Sequence, residues 1–290
     1  MDEDIRDKVD IRHDDIVGLN FIRDTGRHMF RKHCRQGLRS RIMEVLDAGD
    51  VRKEAEGEWV DGIRVFPRAR PTWMLRIFTR RFASPADVLE EARMYSLVEA
   101  CLGQGHIAAS SEFIVDYIRD GRREMLLCGL QAFVEGEILD PWGFVYPGHL
   151  AELCRRMPAA SDGDADVRVR RARKSAESLL GRLRDMVTTA GYIPDLSGIG
   201  NLILTPSGNI RLVDINNITK VAVDDVVPTD DKGYPVCDKS IEVMAILERE
   251  LAGRPFDRND PLYRLFLDPA RMARVKEIEE KFYRDRQKQM

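Results

Sequence analysis

The sequence predicts an α+β fold in which antiparallel strands dominate one half and helices the other. Three observations carry that expectation. Short apolar runs separated by Asp-Gly turns lie between Glu58 and Phe133. Helical periodicity takes over after His149, through His149–Arg156 and Val169–Ala190. A single further hairpin pattern, Leu202 to Val213, interrupts that helical half.

In chain order, residues 1–16 are acidic and are expected to be lightly packed. Residues 17–47 read as helical, because Arg23, Arg27, Arg31, Arg35 and Arg39 recur four apart. That row, with Lys32, Arg41, His28 and His33, is either a solvated face or a patch for an anionic partner between Arg23 and Arg41. The domain reading is an extension at 1–57, acidic then basic and helical, a sheet unit at 58–135 and a helical unit at 136–290.

Glu58 to Phe66 reads as a hairpin turning at Asp61-Gly62, and Trp73 to Phe78 as a further strand. Ser84-Pro-Ala-Asp87 starts a helix, with Pro at its first turn, that runs through Ala100. Strands follow at Phe113–Tyr117 and Met125–Phe133, around the turn Arg119-Asp-Gly-Arg122. Pro158 to Asp166 reads as a polar loop, and the basic run Arg168–Lys174 then opens a helix against its macrodipole. Asp238 to Leu251 is amphipathic and stops at Gly253 and Pro255. Pro261–Leu267 and Ala270–Gln287 close the chain as helices.

Composition narrows the function. With 290 residues, 43% of them apolar, the chain can build one large or two smaller cores. A 33% charged content nearly cancels to a net −3, which makes nucleic acid an unlikely partner. No apolar run reaches the roughly 18 residues of a membrane span, and Met1-Asp-Glu-Asp is too acidic for a secretory signal. A soluble, cytoplasmic protein is expected. Cys34, Cys101, Cys128, Cys154 and Cys237 lack metal-site spacing and are expected to be free thiols. The five histidines form no H-E-x-x-H pattern and read as surface or cap residues, and no G-x-S-x-G elbow is present.

The chemistry concentrates between Tyr192 and Asn216. Asp195 and Asn201 sit on one loop, Leu202–Leu204 and Ile210–Val213 flank the turn Pro206-Ser-Gly-Asn209, and Asp214 ends the second run. Folded as a hairpin, this places Asp195, Asn201 and Asp214 at one end of two paired strands. Two carboxylates and a carboxamide there make an oxygen-rich site suited to Mg²⁺ and phosphate. Read blandly, the same residues are an ordinary hairpin with polar loops.

This stretch resembles the catalytic core of the protein kinase-like superfamily, where H-R-D-L-x-x-x-N precedes a hairpin ending in D-F-G. The resemblance implies a two-lobed fold, with an antiparallel-sheet N-lobe and a mainly helical C-lobe, and ATP and Mg²⁺ as cofactors. Asp195 would be the catalytic Asp that orients or deprotonates an acceptor hydroxyl, with Asn201 and Asp214 as metal ligands. Aligning Met74-Leu-Arg76 with the A-I-K strand puts Arg76 at the phosphate-holding Lys position, with Glu91 or its neighbour Glu90 as the helix partner. Arg76 is either that residue or a surface Arg on an edge strand, and Arg80 or Arg81 is the alternative if the register shifts. Ala132-Phe-Val134-Glu-Gly136 resembles the hinge that binds adenine through backbone hydrogen bonds.

The chain departs from the family pattern at several points. Ile193-Pro194 replaces His-Arg, the Asp195-to-Asn201 interval is one residue longer, and Ile215-Asn216 follows Asp214 in place of Phe-Gly. The extra residue falls in Ser197-Gly-Ile-Gly200, where two glycines can absorb it. No G-x-G-x-x-G precedes Trp73, and only 23 residues (215–237) separate Asp214 from the next helix. That favours a kinase-like enzyme similar to lipopolysaccharide-core sugar kinases over a protein kinase switched by an activation loop. The competing reading is a pseudokinase that binds nucleotide or acts as a scaffold.

Overall fold

The computed structural model describes residues 3–23, 25–143, 148–158, 165–224 and 226–288. The chain divides into two compact units, Met1–Met94 with Ala108–Phe133 and Tyr95–Ile107 with Val134–Met290. The architecture is α+β, as the sequence predicts.

The first unit is built on a sheet. Its elements are α1 (His13–Val17), β1 (His28–Lys32), β2 (Ser40–Asp47), α2 (Ala48–Glu56), β3 (Glu58–Val60), β4 (Ile63–Val65), β5 (Trp73–Phe78), β6 (Ser110–Arg119) and β7 (Arg122–Ala132). Helix α3 (Pro85–Leu102) begins here and ends in the second unit. Five strands form an antiparallel sheet in the order β1-β2-β5-β7-β6, while β3 and β4 pair separately.

Alternation explains the sheet's core. Met43 and Val45, Leu75 and Ile77, and Leu126 and Cys128 are spaced by two, so each pair faces the same side. Two Asp-Gly turns close the hairpins, with φ 49° and 78° at Asp61 and Gly62, and 50° and 74° at Asp120 and Gly121. Positive φ at both central residues is what such two-residue loops require.

Two sequence expectations are corrected here. Residues 17–47 are not one helix: they supply β1 and β2, so 1–57 is no separate helical extension. An Arg spacing of four fits a strand's period of two as well as a helix, and Gly18, Gly26 and Gly37 oppose a continuous helix. The row also dissolves chemically. Arg31 pairs with Glu54, Lys32 donates to the Val9 carbonyl at 2.8 Å, and Arg41 donates to the Asp7 carbonyl at 3.3 Å.

The acidic N-terminus is likewise packed rather than loose. Ile5, Ile11, Ile16 and Leu19 join the core of the sheet. Burial of each isoleucine stabilises by about 1.5–3 kcal/mol before ordering entropy is counted. Asp4 and Arg6 are buried alongside, paired at 2.6 Å, with Arg6 also meeting Glu124. The apolar residues of this segment outweigh its acidic character.

The second unit is mainly helical. It contains β8 (Glu137–Ile138), α4 (His149–Arg156), α5 (Ala165–Asp185) with a π turn at Met186–Ala190, and β9 (Tyr192–Pro194). Then come β10 (Leu202–Leu204), β11 (Ile210–Leu212), β12 (Ile218–Lys220), α6 (Val236–Glu250), α7 (Pro261–Phe266) and α8 (Pro269–Gln287). Helix α6 is buried on nearly every side, and α5 turns Ala172, Ala176, Leu179 and Leu183 inward at helical spacing. An ion pair of Asp238 with Arg271, both 2% exposed, ties α6 to α8 at 2.5 Å.

The basic start of α5, which opposes its own helix macrodipole, is anchored by a contact to α4. Arg168 is buried and its guanidinium donates to the carbonyls of Cys154, Met157 and Pro158. It therefore satisfies the open end of α4, where a cation is favoured. Residues 159–164 of the polar loop expected from Pro158 to Asp166 lie outside the described residues. All five cysteines are free, with Cys128, Cys154 and Cys237 buried. Among the described residues, no helix is long and apolar enough to cross a membrane.

Candidate active site

Two short strand pairs in the second unit build the site. β10 and β11 form an antiparallel hairpin, Leu202 opposite Leu212 and Leu204 opposite Ile210. Alternate apolar residues Leu202, Leu204, Ile210 and Leu212 are fully buried, which fixes the register. The turn is pinned to α5, where Ser175 Oγ accepts from the Ile210 N–H at 2.9 Å.

Asn201 and Asp214 therefore flank the same end of the hairpin, one before β10 and one just beyond β11. The Val213 N–H donates to the Asn201 carbonyl at 2.8 Å and continues the ladder to that end.

Asp195 arrives from the other pair. β9 and β12 run antiparallel, Pro194 opposite Ile218, and the Asp195 N–H donates to the Asn217 carbonyl at 2.8 Å. The Asn201 Nδ2 donates to the Asp195 carbonyl at 2.9 Å. A carbonyl can only accept, so this bond fixes the carboxamide's orientation, with Oδ1 as its accepting oxygen. Asp214 accepts the Asn216 N–H on one oxygen at 3.0 Å. The three residues singled out in the sequence are thus brought together.

Burial pushes the Asp195 carboxyl above the ordinary carboxylate range. The negative charge of Asp214 adds to the rise, while the N–H and hydroxyl of Ser197 oppose it. Both Ser197 groups donate to one Asp195 oxygen, at 2.8 Å from the backbone and 2.6 Å from the hydroxyl.

Sequence reasoning missed the residues that hold this loop. Ser197 was accessible in principle, since Asp-x-Ser is a local pattern that bonds back on itself. Gly198 is required sterically: a Cβ there would lie 2.7 Å from both Asn201 Nδ2 and Oδ1. Trp142 donates its indole N–H to the Ser197 carbonyl at 2.9 Å, and Ser240 on α6 accepts from the Leu196 N–H at 3.1 Å. Lys239 sits 4.1 Å from the Trp142 ring centre and pairs with Glu242 and Glu279. These contacts span tens of residues and have no local signature. His106 also departs from expectation. It is buried, 2.8 Å from Ser178 Oγ, and burial holds its pKa below the ordinary value.

The remaining candidates belong to other elements. Arg76 on β5 is 2% exposed and reaches over Gly129 of β7 to Glu112 at 2.6 Å and Ser110 at 2.8 Å. A Cβ at Gly129 would stand 3.1 Å from that guanidinium, so the glycine makes the crossing possible. Glu91 on α3 accepts from Arg80 at 2.5 Å. The Ala132 N–H donates to the Ala109 carbonyl at 2.8 Å, and Val134 opens the second unit.

The residues present fit Mg²⁺ in kind, because carboxylate and carboxamide oxygens are the ligands a hard cation takes. Among the described residues no grouping of three or more His, Cys, Asp or Glu forms a denser metal site.

No family model matches this chain, and no curated protein matches it. Among solved structures it is similar to the ROP18 kinase domain in complex with AMP-PNP and sucrose. That likeness has 9% sequence identity, covers 90% of this chain and 83% of that chain, and has a TM-score of 0.37. At that TM-score the likeness carries no functional weight.

Proposed function

We propose that this chain is an ATP- and Mg²⁺-dependent phosphotransferase acting on a hydroxyl of a sugar, another small molecule or a protein. The observation that supports it is the joining of Asp195, Asn201 and Asp214 by β9–β12 and the β10–β11 hairpin. Asp195 orients the acceptor hydroxyl and takes its proton, while Ser197 holds its carboxylate in place. Asn201 and Asp214 would hold the metal through their side-chain oxygens. Mg²⁺, when bound, supplies neutralisation of phosphate charge. Ser197 and Trp142 keep the loop in place before any ligand arrives, which limits reorganisation.

The test is phosphate transfer from labelled ATP to a panel of hydroxyl acceptors, comparing wild type with Asp195→Ala. Transfer that disappears in the variant supports the reading. Equal transfer by both proteins removes it.

A second reading, a nucleotide-binding pseudokinase, is favoured by Arg76. Its guanidinium is buried and pairs with Glu112 and Ser110 of β6, where the family pattern has a Lys. Nucleotide binding without transfer to any acceptor would select this reading.

A further inference from the structure

The β3–β4 hairpin carries exposed apolar side chains on both of its faces. Its two strands form a sheet of their own. Trp59 is 73% exposed, Ile63 67% and Phe66 59%, with Val60 and Val65 also exposed. Single exposed apolar residues are ordinary, but here Trp59 and Phe66 share one face of the hairpin and Val60, Ile63 and Val65 the other, a density of the kind that marks an interaction site. Both faces take part. Trp59 lies opposite Arg64, whose guanidinium sits 5.5 Å from the Phe66 ring centre, and Val60 lies opposite Ile63 on the other face.

Charge identifies the partner. Glu54 and Glu58 pair with Arg31 and Lys53 within the chain; of the remaining charges, Glu56 and Asp61 lie on the β3 side and Arg64 and Arg68 on the β4 side. The β3 side is thus acidic and the β4 side basic. An anionic lipid surface or a nucleic acid would be repelled by the first side, and a cationic partner by the second. A copy of the same hairpin satisfies both. A twofold axis that lays β3 of one copy along β4 of the other sets acid against arginine twice, with the apolar faces between. We propose that β3–β4 is a self-association surface, and that its occupant is the same hairpin of a second copy of this chain. Two aromatic side chains at about 150–250 Å² each supply a large share of the roughly 800 Å² that each partner of a stable complex buries.

Sedimentation velocity of the full chain tests this, independently of whether the protein transfers phosphate. Wild type is expected to sediment as a dimer at micromolar concentration. Trp59→Ala with Phe66→Ala is expected to raise the dissociation constant by roughly 30-fold or more. Two charge reversals sharpen the test: Glu56→Lys with Glu58→Lys, and Arg64→Glu with Arg68→Glu. Each variant alone is expected to be monomeric, and an equimolar mixture of the two is expected to recover the dimer. Unchanged thermal unfolding of each variant confirms that the surface alone was altered. Wild type that stays monomeric, or a mixture that does so, overturns the proposal. So does hairpin-dependent binding of a monomer to vesicles of phosphatidylserine and phosphatidylcholine.

Discussion

Replacing Gly198 with alanine probes the site through one methyl group. The new Cβ would lie 2.7 Å from Asn201 Nδ2 and Oδ1 and 2.9 Å from its Cγ, where 3.4–4 Å is ordinary contact. All three atoms belong to one planar amide, so no flexible tip can swing aside. The amide is held by its 2.9 Å bond to the Asp195 carbonyl, and the Asn201 backbone by the Gly198 and Val213 contacts. Relieving the overlap means displacing the carboxamide. Overpacking of this kind costs about 1–3 kcal/mol, and the lost hydrogen bond about 0.5–1.5 kcal/mol, for a total of about 1.5–4.5 kcal/mol. Urea unfolding measures that loss, and titration of nucleotide with and without Mg²⁺ measures the site. The expected outcome is a destabilised but folded protein with weakened Mg²⁺-dependent binding. Gly181→Ala on α5 is the control, because nothing lies within 4 Å of its Cβ and alanine there should stabilise by about 1 kcal/mol. A Gly198→Ala protein with wild-type stability and wild-type metal dependence would show that Asn201 is not held as described.

The other expected outcomes concern charge and close packing. Asp195 has a folded pKa above its ordinary value of 3.8, so the folded chain holds a proton that the unfolded chain releases. Its contribution to stability is complete below that value and is lost as pH rises through the raised one. Asp195→Asn without metal should therefore be more stable than wild type at pH 7 and lose this advantage in acid, as thermal unfolding across pH would record. Removing one partner of the buried Asp238–Arg271 pair, as in Asp238→Ala, should destabilise by about 3–5 kcal/mol in urea unfolding. Leu at 238 combined with Met at 271 should recover most of that loss. Gly136→Ala should be severely destabilising, since φ is 157° and the Cβ would meet the Leu204 carbonyl at 2.2 Å. Retained expression with an unchanged melting temperature would contradict the pairing of β8 with β10.

Local chemistry decided what could be read from the sequence. Both Asp-Gly hairpins, α3 with its proline start, and the β10–β11 hairpin were legible because turn residues and apolar spacing coincide there. So was the placement of Asn201 and Asp214 at one end of that hairpin, which follows from its fixed register, whereas Asp195 is brought there by the pairing of β9 with β12. The region before residue 48 was not legible. An arginine repeat masked two strands: Met43 and Val45 lie opposite Lys32 and Phe30 of β1 and opposite Leu75 and Trp73 of β5, the latter about 30 positions later. The packed N-terminus was hidden for a similar reason, since Ile5 and Ile11 look isolated until the sheet exists. Trp142, Ser240 and Lys239 act on the Asp195 loop from other elements, so composition and spacing carry no trace of them.

Nucleotide-induced thermal stabilisation with and without Mg²⁺, compared between wild type and Asp214→Ala, tests the central claim most directly. The account expects ATP to raise the wild-type melting temperature only when Mg²⁺ is present, and Asp214→Ala to lose that metal-dependent part. An ATP effect indifferent to both Mg²⁺ and Asp214 would contradict it.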